Sequence, residues 1–316
     1  MAKIDRVREE MEKFGVPGRD LYDLPSSEKR FPDGAHYRNE ISGVERPSTL
    51  EAVIEESDKL SIPVHRVICM IMGATLLSER ELGEFSQMAH DAGLEVIATP
   101  GPRASWDVGR QVSTPEGALS GLRIRGCDSL SYVIGDIMRC VEHGIRGFLV
   151  TDEGLLWLLS KLRGDGFIPK ETVFKISIYA GHANPAGARV LQDLGADTFN
   201  PVGDLTLPMF ASLRRAVDIP IDVHIYLAES YGGFNRFWEG SELARVASPC
   251  YFKIEPGTAL AISNGLYKPW TSEEFLAKFA REKVKYAATI RELTERTNPD
   301  IKLSERSPSD LAIPKI

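Results

Sequence analysis

Three apolar runs in this chain end on side chains that can move a proton or hold a ligand. Asp152 and Glu153 follow GFLVT, His182 and Asn184 follow Tyr179, and the segment from His224 to Glu229 is the third. A carboxylate beside a neutral imidazole can exchange a proton with a substrate or bind a divalent ion. Glu40 and Glu255, each on an apolar run of its own, could join them across a shared mouth. His224, Glu40 and Asp152 are therefore the catalytic candidates. Glu40, His182, His224 and Glu255 are the tentative ligands of a divalent metal ion. The chain contains no H-E-x-x-H or H-x-H, so spacing alone does not select the metal. His224 comes first because imidazole is the side chain whose charge changes nearest neutral pH.

The surroundings of these residues carry unusual charge. Arg38, Glu40 and Ser42 alternate with Tyr37 and Ile41, and Arg123 and Arg125 alternate with Leu122 and Ile124. Lys175, Ser177 and Tyr179 alternate with Phe174, Ile176 and Ile178; Asp222, His224 and Tyr226 with Ile221, Val223 and Ile225; Lys253 and Glu255 with Phe252 and Ile254. Residues on a strand face opposite sides in turn, so in a barrel wrapped by helices the apolar set faces outward and the charged set inward. Burying so many ionisable groups costs several kcal/mol each unless a ligand, a metal or water completes the network. Arg38, Arg123, Arg125, Lys175, Tyr226 and Lys253 are accordingly the substrate-binding candidates, and their cations predict a small anionic substrate, a carboxylate or a phosphate. Opposite charges that pair within the barrel as structure are the competing reading.

Nine strand-like runs, at 36–42, 66–73, 94–99, 122–126, 146–152, 173–179, 197–202, 221–227 and 250–255, alternate with helical stretches such as SERELGEFSQMAHDAG. Such alternation predicts parallel strands joined by crossover helices. No G-x-G-x-x-G follows the early runs, which weighs against an open doubly wound sheet. The expected fold is α/β, an irregular TIM-type (β/α) barrel, with chemistry at the C-terminal ends of its strands. One domain is expected: a lead-in over 1–34, the barrel over 35–257 and a C-terminal extension over 258–316. In the lead-in, Ile4, Val7, Met11 and Phe14 recur at helical spacing, predicting a short amphipathic helix packed over the barrel end. The stretch from Gly101 to Gly121 shows no clear helix and is a candidate lid.

Composition narrows the function. A net charge of -7 with no Lys/Arg run disfavours nucleic acid. No apolar run approaches membrane-helix length, and the charged start MAKIDRVREE does not read as a secretory signal, so a cytoplasmic protein is expected. Cys69, Cys127, Cys140 and Cys250 lie far apart and form no C-x-x-C pair; Cys69, inside RVICMIMGA, reads as a core thiol. The turn from Gly203 to Pro208 could cradle a phosphate ahead of a helix. The sequence also allows a homo-oligomer.

HYRNEISGVERPSTLEAVIEES, GADTFNPVGDLTLPMFASLRRAVDIPIDVHIYL and GGFNRFWEGSELARVASPCYFK resemble the barrel of the collagenase-like peptidase family, whose mechanism is unassigned. That resemblance implies a barrel fold and a peptidase-like hydrolase. More locally, GDLTLPMFASLRRAVDIPIDVHIYL is similar to the late barrel segment of hydroxymethylglutaryl-CoA lyase-like metal enzymes, with His224 at the first histidine of their H-x-H and Tyr226 at the second. Here the resemblance implies a metal and lyase chemistry. The leading expectation is an enzyme that cleaves a bond in a small anionic metabolite by acid/base or metal-assisted chemistry. A peptidase-like hydrolase and a non-catalytic ligand-binding or partner protein are the alternatives.

Overall fold

Apolar residues at alternate positions require a sheet with one face buried under helices, and the chain satisfies this by closing the sheet on itself. The computed structural model describes residues 3–102, 122–228, 232–255, 267–268 and 270–316. Among these, the strands are β1 (Tyr37–Val44), β2 (Arg66–Cys69), β3 (Glu95–Ala98), β4 (Gly147–Val150), β5 (Val173–Ile176), β6 (Thr198–Phe199), β7 (Ile221–Leu227), β8 (Phe234–Asn235) and β9 (Cys250–Glu255). The helices are α1 (Lys3–Glu12), α2 (Pro47–Lys59), α3 (Glu79–Asp91), α4 (Gly126–Glu142), α5 (Glu153–Asp165), α6 (Pro185–Asp193), α7 (Leu207–Ala216), α8 (Gly240–Ala247) and α9 (Glu273–Thr297). Strands β1 to β7 pair in sequence, β7 pairs with β9, and β9 pairs with β1, all parallel. The result is a closed eight-stranded parallel TIM-type barrel, with β8 folded back antiparallel on β7.

The outward row carries the core. Ile41, Val67, Val96, Phe148, Phe174, Phe199, Val223 and Phe252, one from each barrel strand, are fully buried against the helix ring. Helix α9 packs against α2 and α8, so the ring closes with residues that the sequence assigns to a C-terminal extension. The tail beyond α9 crosses the opposite end of the barrel. Leu303 bridges Tyr37, Ala312 N–H donates to Glu95 Oε2 at 2.9 Å, and Lys315 N–H donates to the Gly144 carbonyl at 2.9 Å. These contacts seal the N-terminal ends of the strands and leave the C-terminal ends for function.

Several sequence expectations change. The run 122–126 is not a strand, because β3 pairs directly with β4 and leaves no edge for it; Arg125 instead precedes the first turn of α4. Tyr226 does not face inward. A β-bulge between His224 and Tyr226 reverses the alternation, and Tyr226 packs outward on Phe237 and Tyr286, with ring centroids 5.7 and 5.0 Å away. Tyr179 lies in a 3-10 turn beyond β5. Helix α1 forms, but it does not bury its apolar stripe: Ile4, Val7 and Phe14 are 54%, 51% and 79% exposed. Most of the candidate lid, 103–121, and Glu229 lie outside the described residues.

Candidate active site

The inward side chains form three levels along the barrel axis. At the N-terminal level, Asp310 of the tail holds Arg38 in a bidentate pair, at 2.9 and 2.7 Å. Ser304 Oγ accepts from Arg38 Nε at 3.0 Å, and Phe31 lies 3.9 Å from its guanidinium carbon. Arg38 therefore belongs to the sealed end, away from the mouth that a substrate would enter.

The middle level is a buried ion cluster, in which Glu40, Arg66, Lys175 and Asp222 have no exposure. Arg66 Nε donates to Glu40 Oε2 at 2.5 Å, Nη1 to Glu95 Oε1 and Thr198 Oγ1 at 3.3 Å, and Nη2 to Asp222 Oδ1. Lys175 Nζ lies 2.5 Å from Asp222 Oδ2 and 3.2 Å from Glu40 Oε2. Burial alone would raise the Asp222 carboxyl, but Arg66 and Lys175 outweigh it and hold the group below its ordinary value. Lys175 goes the other way, because burial brings its ammonium down to about 8 against the pull of Asp222 and Glu40. Glu40 and Lys175 thus lie fully buried in one ion cluster with Arg66.

The mouth level begins above this cluster. Glu40, Lys253 and His224 are register partners across β1, β9 and β7, which places the last two side by side on the inner face. Between them sits Asn200, just beyond β6. Its Nδ2 donates to the Asp222 carbonyl at 2.9 Å and lies 3.1 Å from His224 Nδ1, while its Oδ1 accepts from Lys253 Nζ at 3.4 Å. The Asp222 and Pro201 carbonyls can only accept, which orients the amide nitrogen, and a ring nitrogen beside that NH2 group, which has no lone pair to offer, can face it only as an acceptor. The imidazole proton is thereby assigned to Nε2. Burial, and then the charges of Lys253 and Lys175, hold His224 well below its ordinary value. Both effects favour the neutral imidazole, against the expectation that His224 changes charge near neutral pH.

Glu255 lies on the same face as Lys253, about 7 Å further along β9. Its Oε1 accepts from Tyr267 Oη at 2.7 Å. Gly43 admits the Tyr267 ring, having a φ of +73° and no side chain where a Cβ would lie 2.3 Å from two ring carbons and the hydroxyl oxygen. Behind Gly43, the fully buried Lys283 of α9 donates to the Ser42 and Gly43 carbonyls. Glu45 stands beside them, its two oxygens 3.0 and 2.9 Å from Ile71 N–H. Burial pushes its carboxyl up to about 7 and brings Lys283 down to about 8. Strand alternation could not find Glu45, Tyr267 and Lys283, because they lie beyond β1, outside any strand and on a helix. Arg66 and Asn200 were detectable, since each occupies an inward position of a run already identified.

The remaining candidates sit to one side, after β4 and β5. Asp152 caps α5, accepting from Leu155 N–H at 3.0 Å and Ile124 N–H at 3.3 Å, so both of its oxygens serve the backbone. Glu153 pairs with Arg123, and its Oε1 lies 2.6 Å from His182 Nε2. Asn184 caps α6. Arg125 Nη1 donates to the Arg123 carbonyl at 3.2 Å. The four tentative metal ligands do not form one donor set: Glu40 lies in the ion cluster, His182 on Glu153, His224 on Asn200 and Glu255 on Tyr267. Among the described residues no three His, Cys, Asp or Glu side chains come together in a way that could hold an ion. Cys69, Cys140 and Cys250 are buried, and burial pushes each thiol up, well away from the thiolate form. Gly203 backs onto the Phe234 ring in the turn that leads to α7. No helix among the described residues is long and apolar enough to cross a membrane.

No family model and no curated protein matches the sequence. Solved structures are similar in fold. The YdjI aldolase from Escherichia coli has a TM-score of 0.48 at 17% identity, over 84% of this chain and 94% of its own. A U32 peptidase has a TM-score of 0.40 at 17% identity, over 65% of this chain and 74% of its own. D-psicose 3-epimerase from Clostridium cellulolyticum has a TM-score of 0.46 at 11% identity, over 81% of this chain and 99% of its own. A barrel hosts many chemistries, so the function has to be argued from the site.

Proposed function

We propose that the chain is an enzyme that cleaves a bond next to the carbonyl or carboxylate of a small anionic metabolite by acid/base chemistry at the C-terminal mouth. The observation that carries this is Asn200, whose one amide fixes the neutral tautomer of His224 and anchors Lys253 beside it. When a bond next to a carbonyl breaks, its electron pair moves onto the carbonyl oxygen, which then needs donors already in place. Lys253 Nζ supplies a positive charge and His224 Nε2–H a neutral donor, the combination that stabilises an enolate without giving it a proton. Glu255, one pleat further along β9, takes the proton released in the step and returns it to the product. Lys253 also supplies the attraction for an anionic substrate.

The reading is tested by proton NMR in deuterium oxide with a panel of small 2-oxo and 2-hydroxy acids, following exchange at the carbon beside the carbonyl and the appearance of cleavage products. Wild type should turn over at least one of them. His224→Gln and Lys253→Met should each lose about a hundredfold or more with unchanged circular dichroism. In 15N spectra, His224 Nδ1 should stay unprotonated from pH 5 to 8. A folded His224→Gln variant with wild-type turnover, or hydrolysis of peptides in place of any reaction on the panel, overturns the proposal.

A further inference from the structure

A cavity opens over the C-terminal ends of β1 and β2. It encloses about 450 Å³, the size of a small-ligand site, between the start of α2 and the segment leading into α9. Met72, Leu76, Trp270 and Leu276 provide an apolar wall, with Trp270 80% and Leu76 49% exposed at the rim. The Tyr267 ring, bonded to Glu255, stands between this cavity and the row of His224 and Lys253. Glu45 is the buried acidic group that lines it.

We propose that this cavity binds a primary amine carrying a small apolar or aromatic body, with its ammonium group on Glu45 and its body against Met72, Leu76 and Trp270. Three carboxyl groups line the space, Glu45, Glu81 and Glu273, against two cations, Arg46 and Lys268. Arg46 is already paired with Glu81 at 2.9 Å, and Glu273 accepts from Ser48 Oγ at 2.6 Å. Glu45 has backbone donors, but among the described residues no Lys or Arg nitrogen lies within 4.0 Å of it, so no direct ion pair holds it. Lys283 acts on it from α9 at longer range, and Glu255 on β9 opposes that effect. A ligand carboxylate would add another negative charge to this set. An ammonium supplies what is lacking, and the indole at the rim favours a cation beside an aromatic face.

The inference does not depend on the proposed reaction. It predicts linkage: since burial leaves Glu45 titrating near 7, an arriving ammonium displaces its proton. The ionised fraction of such a group rises about tenfold between pH 6 and pH 8, so amine affinity should rise by about the same factor. The test is isothermal calorimetry of the full chain with 2-phenylethylamine and with its acid counterpart 3-phenylpropionate at both pH values, in buffers of different ionisation enthalpy. The amine should bind, tighten with pH and release a proton at pH 6, and the acid should bind at least about tenfold more weakly. Glu45→Gln should abolish the pH dependence, and Trp270→Ala, at an exposed position, should weaken the amine several-fold without touching the fold. Equal binding of the acid, no amine binding at millimolar concentration, or a Trp270→Ala variant with wild-type amine affinity overturns the proposal.

Discussion

Arg66→Leu should be the most destabilising single change inside the barrel, and the contacts of the guanidinium set its size. Arg66 bonds Glu40, Glu95, Asp222 and Thr198 and lies 3.4 Å from the Tyr251 ring centre, with no exposure. Leucine fills part of the volume but leaves Glu40 and Asp222 with Lys175, and Glu95 with only the Ala312 N–H and the more distant Arg38. Removing one partner of a buried ion pair costs about 3–5 kcal/mol, which should lower the urea midpoint by about 1 M or more. The loss should depend on pH. Asp222 is held below its ordinary value, so its contribution is present above the unfolded carboxylate range and disappears as pH falls through the lowered folded value. Without Arg66 the Asp222 carboxyl rises, and the gap between wild type and variant should widen from pH 4 to pH 7. Adding Glu40→Gln and Glu95→Gln to Arg66→Leu should recover part of the stability, because two orphaned carboxylates are gone while Lys175 keeps Asp222. Urea unfolding followed by far-ultraviolet circular dichroism measures each of these. A single Arg66→Leu variant within about 1 kcal/mol of wild type across that range would refute the reasoning.

Two other outcomes follow from the rim of the mouth. Gly43→Ala places a methyl group in the Tyr267 ring and strains a φ of +73°, so it should cost about 1–3 kcal/mol in thermal or urea unfolding; an unchanged midpoint would show that the ring moves aside freely. Glu45 has a folded value raised from 4.5 to about 7, so its contribution is complete below the unfolded value and is lost as pH rises through the folded one. Glu45→Gln should therefore gain on wild type by up to about 3 kcal/mol between pH 4 and pH 8, and parallel stability profiles would contradict this.

The strand runs were legible because alternation is a local property. Ile41, Phe174, Val223 and Phe252 mark the outward row, and their neighbours Glu40, Lys175, Asp222 and Lys253 do face inward. The same rule failed where the backbone departs from it. The bulge after His224 turns Tyr226 out, and 122–126 finds no free strand edge to pair with. Alternation also says which face a side chain takes and nothing about its height in the barrel. Side-chain partners decide that, and they separate Arg38 on Asp310, Glu40 and Lys175 in the ion cluster, and His224 and Lys253 on Asn200.

The sequence by itself determined the parallel barrel, the outward apolar core and the inward charge, since these follow from residue type and a period of two. Only the tertiary structure decided which charges cancel and which remain for chemistry. A charge near a strand end becomes a cap on the following helix, as Asp152 does for Leu155, or a hydrogen-bond partner at the mouth, as Glu255 does for Tyr267. Arg38 is held by Asp310, Gly43 and Glu255 meet Tyr267, and the Ser42 carbonyl receives Lys283. The strength and the protonation of a buried group depend on burial and on partners within a few ångströms, and residues more than two hundred positions apart become such partners only when the barrel closes.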